Sequence, residues 1–304
     1  MPSIVAIANS KSGTFDTHSP FFPLVEEVGG RVQTTATTEE FAAALAQAQR
    51  ERCQRVVIVG GDGTVSRVAS AIIEDRLDFE LAVVPAGTGN DLARSLGVPV
   101  NDPPAAWEIA LHGISRPIDL VSYRTETSGY FVNSITAGFG GKQAADVDRD
   151  QKSYWGKLAY WLAALAQMGD MPEFDVMLST DGQEQSIRAF GFWIANGRYV
   201  GGGFPVAPNA LIDDGLLDVV VIPALPALEL LATGVDFTLA GPERADKVLH
   251  LRCAQATVRA APRISLSIDG EPIDAESLTC EVLPRALRVV VGPMEPAFSD
   301  EVQS

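Results

Sequence analysis

The residues best suited to chemistry lie in a glycine-rich turn, Gly60–Thr64, with the sequence GGDGT. The apolar run before it, Val56–Val59, is short and rich in β-branched residues, which predicts a strand buried on both faces. A helical stripe of apolar residues starts at Val65. Bare glycine backbone at a helix N-terminus favours an anion such as a phosphate group. The turn therefore predicts a phosphate-binding site.

Asp62 is the unexpected residue of this turn. A carboxylate repels phosphate groups unless a cation lies between them, and magnesium has the oxygen preference to do so. The alternative is an ordinary strand-to-helix turn in which Asp62 caps the helix. The GDG motif by itself leaves both interpretations open.

A second glycine turn, Pro85–Asp91, follows the apolar run Leu81–Val84 and again precedes a predicted helix. Turns at the carboxyl ends of neighbouring parallel strands meet in one crevice, where open α/β sheets bind ligands. The repetition favours the phosphate interpretation, although Asn90 and Asp91 could simply cap the helix. The polar loop Asn9–Gly13 after the first predicted strand offers further donors, or is a surface turn.

Composition narrows the class of protein. The 304 residues carry a net charge of −16 and are 46% hydrophobic. This balance is typical of a globular chain, argues against nucleic acid as a partner, and weakens electrostatic attachment to anionic lipid. No signal peptide or membrane-spanning segment is predicted. Three cysteines without metal-ligand spacing indicate buried or idle thiols in a reducing cytoplasm: Cys53, Cys253 and Cys280.

The predicted elements divide the chain near Pro117. Strands and helices alternate over residues 1–117, which predicts an α/β domain with a Rossmann-like, mostly parallel sheet. Closely spaced strands over 118–292 predict an antiparallel domain, either a β-sandwich or barrel-like, interrupted by one helix at Tyr154–Met168. Among these predicted strands are Tyr130–Ile135, Ala256–Val258 and Ile264–Ile268. Residues 293–304 form a tail that could return to the first domain.

Several landmarks together resemble the diacylglycerol kinase catalytic domain family, which includes sphingosine and ceramide kinases and bacterial lipid kinases. They occur in order along nearly the whole chain: Gly60–Thr64, Pro85–Asp91, Phe131–Asn133, Gly138–Gly140, Asn196–Gly203, Pro208–Asp218 and Asp269–Glu271. The resemblance implies a two-domain lipid kinase with an architecture like that of NAD kinases. It implies transfer of the γ-phosphoryl group of ATP, with Mg²⁺, to a hydroxyl of a lipid such as diacylglycerol or a sphingoid base.

The resemblance also assigns residues. In this family the metal ligands would be Asp62 and Asp91, and the ATP site would contain Asn9, Ser12, Gly61, Asp62, Gly63, Thr64, Gly87, Thr88 and Asn90. Ser10 departs from the family pattern, which has proline after the asparagine. The resemblance nominates Glu271 as the group that takes the acceptor proton, with Asp269 nearby and Asp62 acting through magnesium. Ile268–Glu271 is equally a good hairpin turn, and both interpretations can hold.

Two further points stay open at this level. The acidic loop Asp213–Asp218 could hold a second metal through Asp214, or be a solvated turn. The function could instead be that of an NAD kinase, which shares the GGDG loop, or of a nucleotide-binding regulator without turnover. For a lipid acceptor we expect a cytoplasmic protein in transient contact with the inner membrane face, with a homodimer as a further expectation.

Overall fold

The computed structural model describes residues 3–10, 22–138, 173–242 and 245–293. The chain forms two compact units, one of Met1–Leu120 with Pro284–Pro296 and the other built on Val121–Leu283. The first boundary lies close to the predicted one. The prediction that residues up to 292 belong to the second domain is wrong, because the chain re-enters the first unit at Pro284. The predicted helix Tyr154–Met168 and the tail beyond 293 lie outside the described residues.

The first unit is built on parallel strands. Its sheet has the order β2-β1-β3-β4, and each neighbouring pair is parallel. The apolar run at Val56–Val59 is buried on both faces, as its composition predicts. The elements are β1 (Ile4–Asn9), α1 (Phe22–Glu27), β2 (Arg31–Thr35), α2 (Thr38–Arg50), β3 (Arg55–Gly60), α3 (Asp62–Glu74), β4 (Glu80–Pro85), α4 (Asp91–Ser95) and α5 (Pro103–His112).

Local sequence signals explain where the longer helices begin. Thr37 caps α2: its hydroxyl accepts the N–H of Glu40 at 3.2 Å, and the Glu40 carboxylate accepts the N–H of Thr37 at 3.3 Å. This reciprocal capping box satisfies donors that the first turn leaves unpaired. Asp102 caps α5 in a similar way by accepting from Ala105 at 3.1 Å.

The end of the last strand completes the first unit, and this is the physical reason for the corrected boundary. Val289 pairs in parallel with Leu81 of β4. The backbone N–H of Arg285 donates to the buried carboxylate of Asp119 at 2.7 Å, and the N–H of Gly292 donates to the carbonyl of Leu96 at 2.9 Å. An apolar run such as Leu287–Val291 carries no sign of which sheet it joins.

The second unit is antiparallel, which confirms that prediction. Among the described residues, the strands are β5 (Ile114–Arg124, beginning in the first unit), β6 (Ser128–Phe131), β7 (Ser134–Gly138), β8 (Phe174–Thr180), β9 (Gln183–Ala195), β10 (Leu217–Pro223), β11 (Leu249–Cys253), β12 (Gln255–Ile268) and β13 (Glu271–Val291, ending in the first unit), and helix α6 (Ala227–Ala240) follows β10. Strands β7 to β12 pair antiparallel with their neighbours, and β12 pairs antiparallel with β13.

Two local predictions differ from this structure. Ala256–Val258 and Ile264–Ile268 were predicted as two strands, but they form one strand, β12, whose register shifts between Arg259 and Ile264. Helix α6 was missed, because prolines and charged residues near its start obscured its period. Within the described part of the chain, no helix has the length and apolar character needed to cross a bilayer.

The cysteines are buried and free, as predicted. Burial, with smaller contributions from the charges of Asp181 and Asp218, raises the pKa of Cys253 to about 12. This thiol is therefore protonated at neutral pH, and it packs as a small apolar side chain in the core of the second unit.

The buried side chain of Arg55 binds the C-terminal end of α5 in the first unit. The guanidinium of Arg55 forms an ion pair with Glu80 at 2.8 Å and donates to the last carbonyls of α5, those of Ala110 at 3.1 Å and Leu111 at 2.9 Å. A cation at a helix C-terminus is favourable because carbonyl groups there lack partners within the helix. Burial alone would raise the pKa of Glu80. Hydrogen bonds from Ser115 and Arg55, with the charges of Arg55 and Arg288, outweigh burial and lower that pKa below 4.5.

This lowered pKa predicts an acid-sensitive contribution to stability. The ionised Glu80 stabilises the fold above the unfolded-state pKa near 4.5, and the contribution is lost as pH falls through the lower folded-state pKa. Glu80→Gln should lower Tm at pH 7, with the difference from the parent protein narrowing below about pH 4.5. Thermal unfolding from pH 7 to 3 measures this, with the exposed Glu74→Gln as control. A difference that stays constant over the whole range would contradict the assignment.

Candidate active site

The first glycine turn joins β3 to α3. Gly61 is the N-cap of α3 and provides no side-chain cap, so the first N–H groups of this helix keep no side-chain partner at the cap. Asn9, at the end of β1, donates through its amide to the hydroxyl of Thr64 at 3.1 Å. The structure thus brings Asn9 to the turn, as predicted, whereas Ser12 lies outside the described residues.

The second glycine turn lies directly beside the first. Gly60 and Pro85 are paired in the parallel register of β3 and β4, and the N–H of Ala86 donates to the carbonyl of Gly60 at 3.0 Å. A Cβ on Gly61 would lie 2.9 Å from the Cα of Gly87, and one on Gly87 would lie still closer to the Cα of Gly61. The two backbones are therefore in contact, and only glycine fits at either position.

Asn90 holds the second turn in shape. It has a left-handed backbone with φ of 54° and makes no side-chain cap to α4. Its amide oxygen accepts the N–H of Gly87 at 2.8 Å, and its amide nitrogen donates to the carbonyl of Gly87 at 2.8 Å. Asn90 occupies the N-cap position of α4, as one alternative predicted, but its side chain closes the turn instead of capping the helix. The exposed residue at the turn is Thr88.

Asp62 connects the two turns. Its carboxylate accepts the N–H of Leu92 at 3.0 Å, so it caps the helix of the second turn rather than its own. Its other oxygen lies 2.9 Å from the point where a Cβ on Gly89 would lie, and an Asp91 oxygen lies 3.2 Å from the same point. The two predicted metal ligands therefore converge at Gly89, where only the lack of a side chain leaves room.

Asp62 and Asp91 are suited to a magnesium ion that takes its other ligands from water and phosphate. Among the described residues, no group of three or more His, Cys, Asp or Glu side chains could hold a metal by itself. Mg²⁺ in phosphate-binding sites takes one or two carboxylates and completes its shell with water and phosphate oxygens. Asp62 and Asp91 match that donor set. The side chain of Arg67 donates to the carbonyl of Gly63 at 3.1 Å, and this hydrogen bond holds the Arg67 side chain against the first turn of α3.

Asp269 and Glu271, predicted together, have different surroundings in the second unit. Asp269 is the first residue of a two-residue hairpin turn, Asp269–Gly270, whose φ values are 44° and 91°. Glu271 follows the turn and pairs with Ile268. Asp269 is buried, with 7% of its surface exposed, whereas Glu271 is exposed. The hairpin interpretation is confirmed, and the hairpin leaves Glu271 exposed to solvent.

The carboxylate of Asp269 is already occupied by hydrogen bonds, so it is poorly suited to take a proton from a substrate. Its carboxylate accepts three successive backbone N–H groups: Val132 at 2.8 Å, Asn133 at 3.1 Å and Ser134 at 2.8 Å. These bonds also explain why Tyr130–Ile135, predicted as one strand, is divided into β6 and β7. The amides at the break face a carboxylate instead of a neighbouring strand. We therefore revise the predicted catalytic role of Asp269 to a structural one.

The acidic loop at Asp213–Asp218 already has a protein cation. The guanidinium of Arg252 forms an ion pair with Asp214 and lies 3.7 Å from Asp218, and His250 lies 2.6 Å from the same Asp218 oxygen. Burial raises the pKa of Asp214 despite the opposing effect of Arg252. An arginine in this position supplies the positive charge that a second metal would bring, which argues against the predicted ligand role of Asp214.

This arrangement predicts that metal removal leaves the second unit intact. Dialysis of the nucleotide-free protein against a chelator should leave Tm unchanged, whereas Arg252→Gln should lower it, because two acidic groups lose their partner. Thermal unfolding with and without magnesium measures both effects. A Tm that falls on metal removal in the parent protein, but not in Asp214→Asn, would restore the metal site.

Sequence reasoning missed two side chains near Asp269. The amides of Asn133 and Asn196 link the break between β6 and β7 to the loop after β9. Both residues lie within the family landmarks, but nothing in their spacing indicates this contact, because they are 63 positions apart in the chain.

The two glycine turns are thus in contact at the ends of parallel strands and are joined by the Asp62 carboxylate. Residues 3–123 match the family described as the diacylglycerol kinase catalytic domain. Residues 133–291 match the YegS C-terminal NAD kinase β-sandwich-like domain. This chain belongs to the diacylglycerol kinase catalytic domain family, whose enzymes use an alcohol group as phosphoryl acceptor.

Individual relatives agree with this assignment. A probable lipid kinase of the YegS-like type from Pseudomonas aeruginosa is 36% identical over 81% of this chain and 79% of its own length. The probable lipid kinase YegS of Escherichia fergusonii is 30% identical over 96% of this chain and 97% of its own. A crystal structure of a diacylglycerol kinase from Bacillus anthracis matches the fold with a TM-score of 0.74, at 20% identity, covering 96% of this chain and 97% of that one.

Proposed function

We propose that this protein is an ATP- and Mg²⁺-dependent kinase that transfers the γ-phosphoryl group to a hydroxyl of a lipid such as diacylglycerol or a sphingoid base. The observation that carries the proposal is the contact between Gly61 and Gly87, with Asp62 reaching from one turn to the other. We assign the first unit as a Rossmann-like nucleotide-binding domain, which its parallel strands support.

The proposal rests first on what phosphoryl transfer demands. The reaction needs positioning and charge neutralisation more than covalent help from the protein. At the first turn, the backbone N–H groups at the start of α3 have no side-chain cap, and glycines let a phosphate chain approach them. Asn9 and Asn90 hold the surrounding backbone in place by the hydrogen bonds described above.

Asp62 and Asp91 are the residues that would hold magnesium. Bound there, the ion would neutralise negative charge on the phosphate oxygens. Without it, the two carboxylates would repel those oxygens. Asp62 has a second task that needs no metal, because its bond to Leu92 keeps the two turns together.

We assign Glu271 as the residue that takes the proton of the acceptor hydroxyl. An exposed carboxylate on a tight two-residue turn is held rigidly yet reaches solvent. As the acceptor oxygen bonds to the γ-phosphorus, the bond from that phosphorus to ADP breaks and ADP leaves. The acceptor proton passes to a Glu271 oxygen, so the acceptor oxygen does not become positively charged. A lipid acceptor is supported by the names of the relatives and implies transient contact with a membrane surface.

The test is an acceptor assay with purified protein. Labelled ATP, magnesium and a mixed lipid extract in detergent should yield label in the organic phase, and Asp62→Asn should abolish it. Asp75→Asn, at the exposed opposite end of α3, is the matched control and should retain activity. The mass of the labelled lipid identifies the acceptor class.

A parallel incubation replaces the lipid with NAD. We expect no NADP to form. Formation of NADP without labelled lipid would replace the lipid kinase proposal by an NAD kinase. ATP binding without product from lipid or NAD would contradict both kinase proposals for these acceptors.

A further inference from the structure

Asp269 is the centre of a buried hydrogen-bond cluster in the second unit. Its carboxylate accepts N–H groups from three consecutive residues, Val132 to Ser134, and only 7% of the residue is exposed. A buried charge is tolerated only when hydrogen bonds replace its hydration. The three N–H groups provide that replacement and, in return, fix the break between β6 and β7.

The break between β6 and β7 is in turn hydrogen-bonded to the loop after β9. The carbonyl of Asn133 accepts the N–H groups of Asn196 at 2.8 Å and Gly197 at 3.0 Å. The Asn196 side chain donates to the carbonyl of Val132 at 2.7 Å, and the Asn133 side chain donates to the carbonyl of Tyr199 at 2.8 Å. One carboxylate therefore organises two chain segments that are far apart in the sequence.

In the other direction the cluster fixes the hairpin that bears Glu271. The N–H of Asp269 donates to the carbonyl of Ser134 at 2.9 Å, and Ile268 pairs with Ile135 of β7 on one side and with Glu271 on the other. Glu271 is two residues from the anchored carboxylate, with one glycine between. A shift of Asp269 would therefore move Glu271.

A second hairpin in the same unit shows that the turn alone does not require this cluster. Asp181 and Gly182 form the turn between β8 and β9 with φ of 47° and 84°, close to the values at Asp269 and Gly270. Asp181 is exposed and accepts N–H groups from Gln255 at 3.0 Å and Ala254 at 3.4 Å. The burial and the three-amide cluster at Asp269 thus go beyond what an Asp-Gly turn needs.

We propose that Asp269 is a positioning residue for phosphoryl transfer: its carboxylate anchors the β12–β13 hairpin to the β6–β7 break and so holds Glu271 where the acceptor proton is released. This inference rests on the proposed function of Glu271. It assigns no proton transfer to Asp269 itself.

A first experiment needs no acceptor and is independent of the kinase proposal. In Asp269→Asn the amide nitrogen would face a backbone N–H, so at least one of the three bonds is lost. Hydrogen exchange should accelerate in peptides covering residues 131–135 and 195–199, and stay unchanged around the glycine turns of the first unit. Asp181→Asn is the control and should leave residues 131–135 protected. Unaltered exchange at 131–135 in Asp269→Asn would overturn the anchoring role.

A second experiment separates positioning from a direct chemical role. Asp269→Asn should lower kcat by about 10- to 100-fold, as misplacement of a reacting group does, with little change in KM for ATP. In a double-mutant cycle, adding Asp269→Asn to Glu271→Gln should change kcat by no more than about twofold, because Asp269 acts through Glu271. Effects that multiply, or full activity in Asp269→Asn, would overturn the proposal.

If Asp269→Asn folds too poorly to assay, Asn133→Ala tests the same link. It removes the bond to the Tyr199 carbonyl while keeping the backbone N–H groups that Asp269 binds. We expect a smaller loss of kcat that again disappears in the Glu271→Gln background. A loss of equal size in both backgrounds would overturn the proposal.

Discussion

Replacing Glu271 by glutamine is expected to lower kcat by about 100-fold or more, the usual scale for loss of a general base. Glutamine has the same shape but cannot take a proton from the acceptor hydroxyl. KM for ATP should change little, because the glycine turns belong to the first unit. Glu271 is exposed, so Tm should stay within experimental error. Steady-state kinetics with the lipid acceptor, and thermal unfolding of the same preparations, measure these effects.

Glu276→Gln is the matched control for this prediction. Glu276 lies on the same strand, its side chain is 74% exposed, and it is 3.9 Å from Arg263. Because an exposed ion pair contributes little to stability, this variant should keep both activity and Tm. A Glu271→Gln enzyme with an unchanged rate would remove Glu271 from the mechanism and leave the proton without an assigned acceptor.

Replacing Gly87 by alanine is expected to abolish ATP binding and to destabilise the first unit. The new Cβ would overlap the backbone of Gly61, and backbone, unlike the tip of a flexible side chain, cannot move aside without opening the turn. Overpacking of this kind costs about 1–3 kcal/mol. Since the two turns must stay in contact to present their N–H groups together, the affinity for ATP should fall with the stability. Calorimetric titration with ATP and thermal unfolding measure the two effects separately.

Gly182→Ala separates lost binding from lost stability. Gly182 has φ of 84° and open space around the position of a Cβ, so alanine there is strained without a clash and costs about 1–2 kcal/mol. This variant should lose stability yet bind ATP normally. ATP binding that survives in Gly87→Ala would show that contact between the two turns is not required for nucleotide binding.

The sequence by itself determined the features that depend on neighbouring residues. Glycine turns after short apolar strands and the hairpin at Ile268–Glu271 were predicted, because each is set by backbone freedom and hydrogen bonds within a few positions. The ordered motifs also identified the family, since they extend over nearly the whole chain. These signals were enough to place most of the candidate site residues on the right turns.

Only the tertiary structure decided what the acidic side chains do. Asp62 caps a helix that begins about 30 positions later, Asp214 meets Arg252 38 positions away, and Asp269 holds amides 135 to 137 positions earlier. The last strand likewise leaves its own sheet for the first unit at Pro284. A carboxylate can cap, pair, bind metal or accept a proton, and its residue type is the same in each case. The choice depends on which donors folding brings within about 3 Å, and that distance is a property of the packed chain.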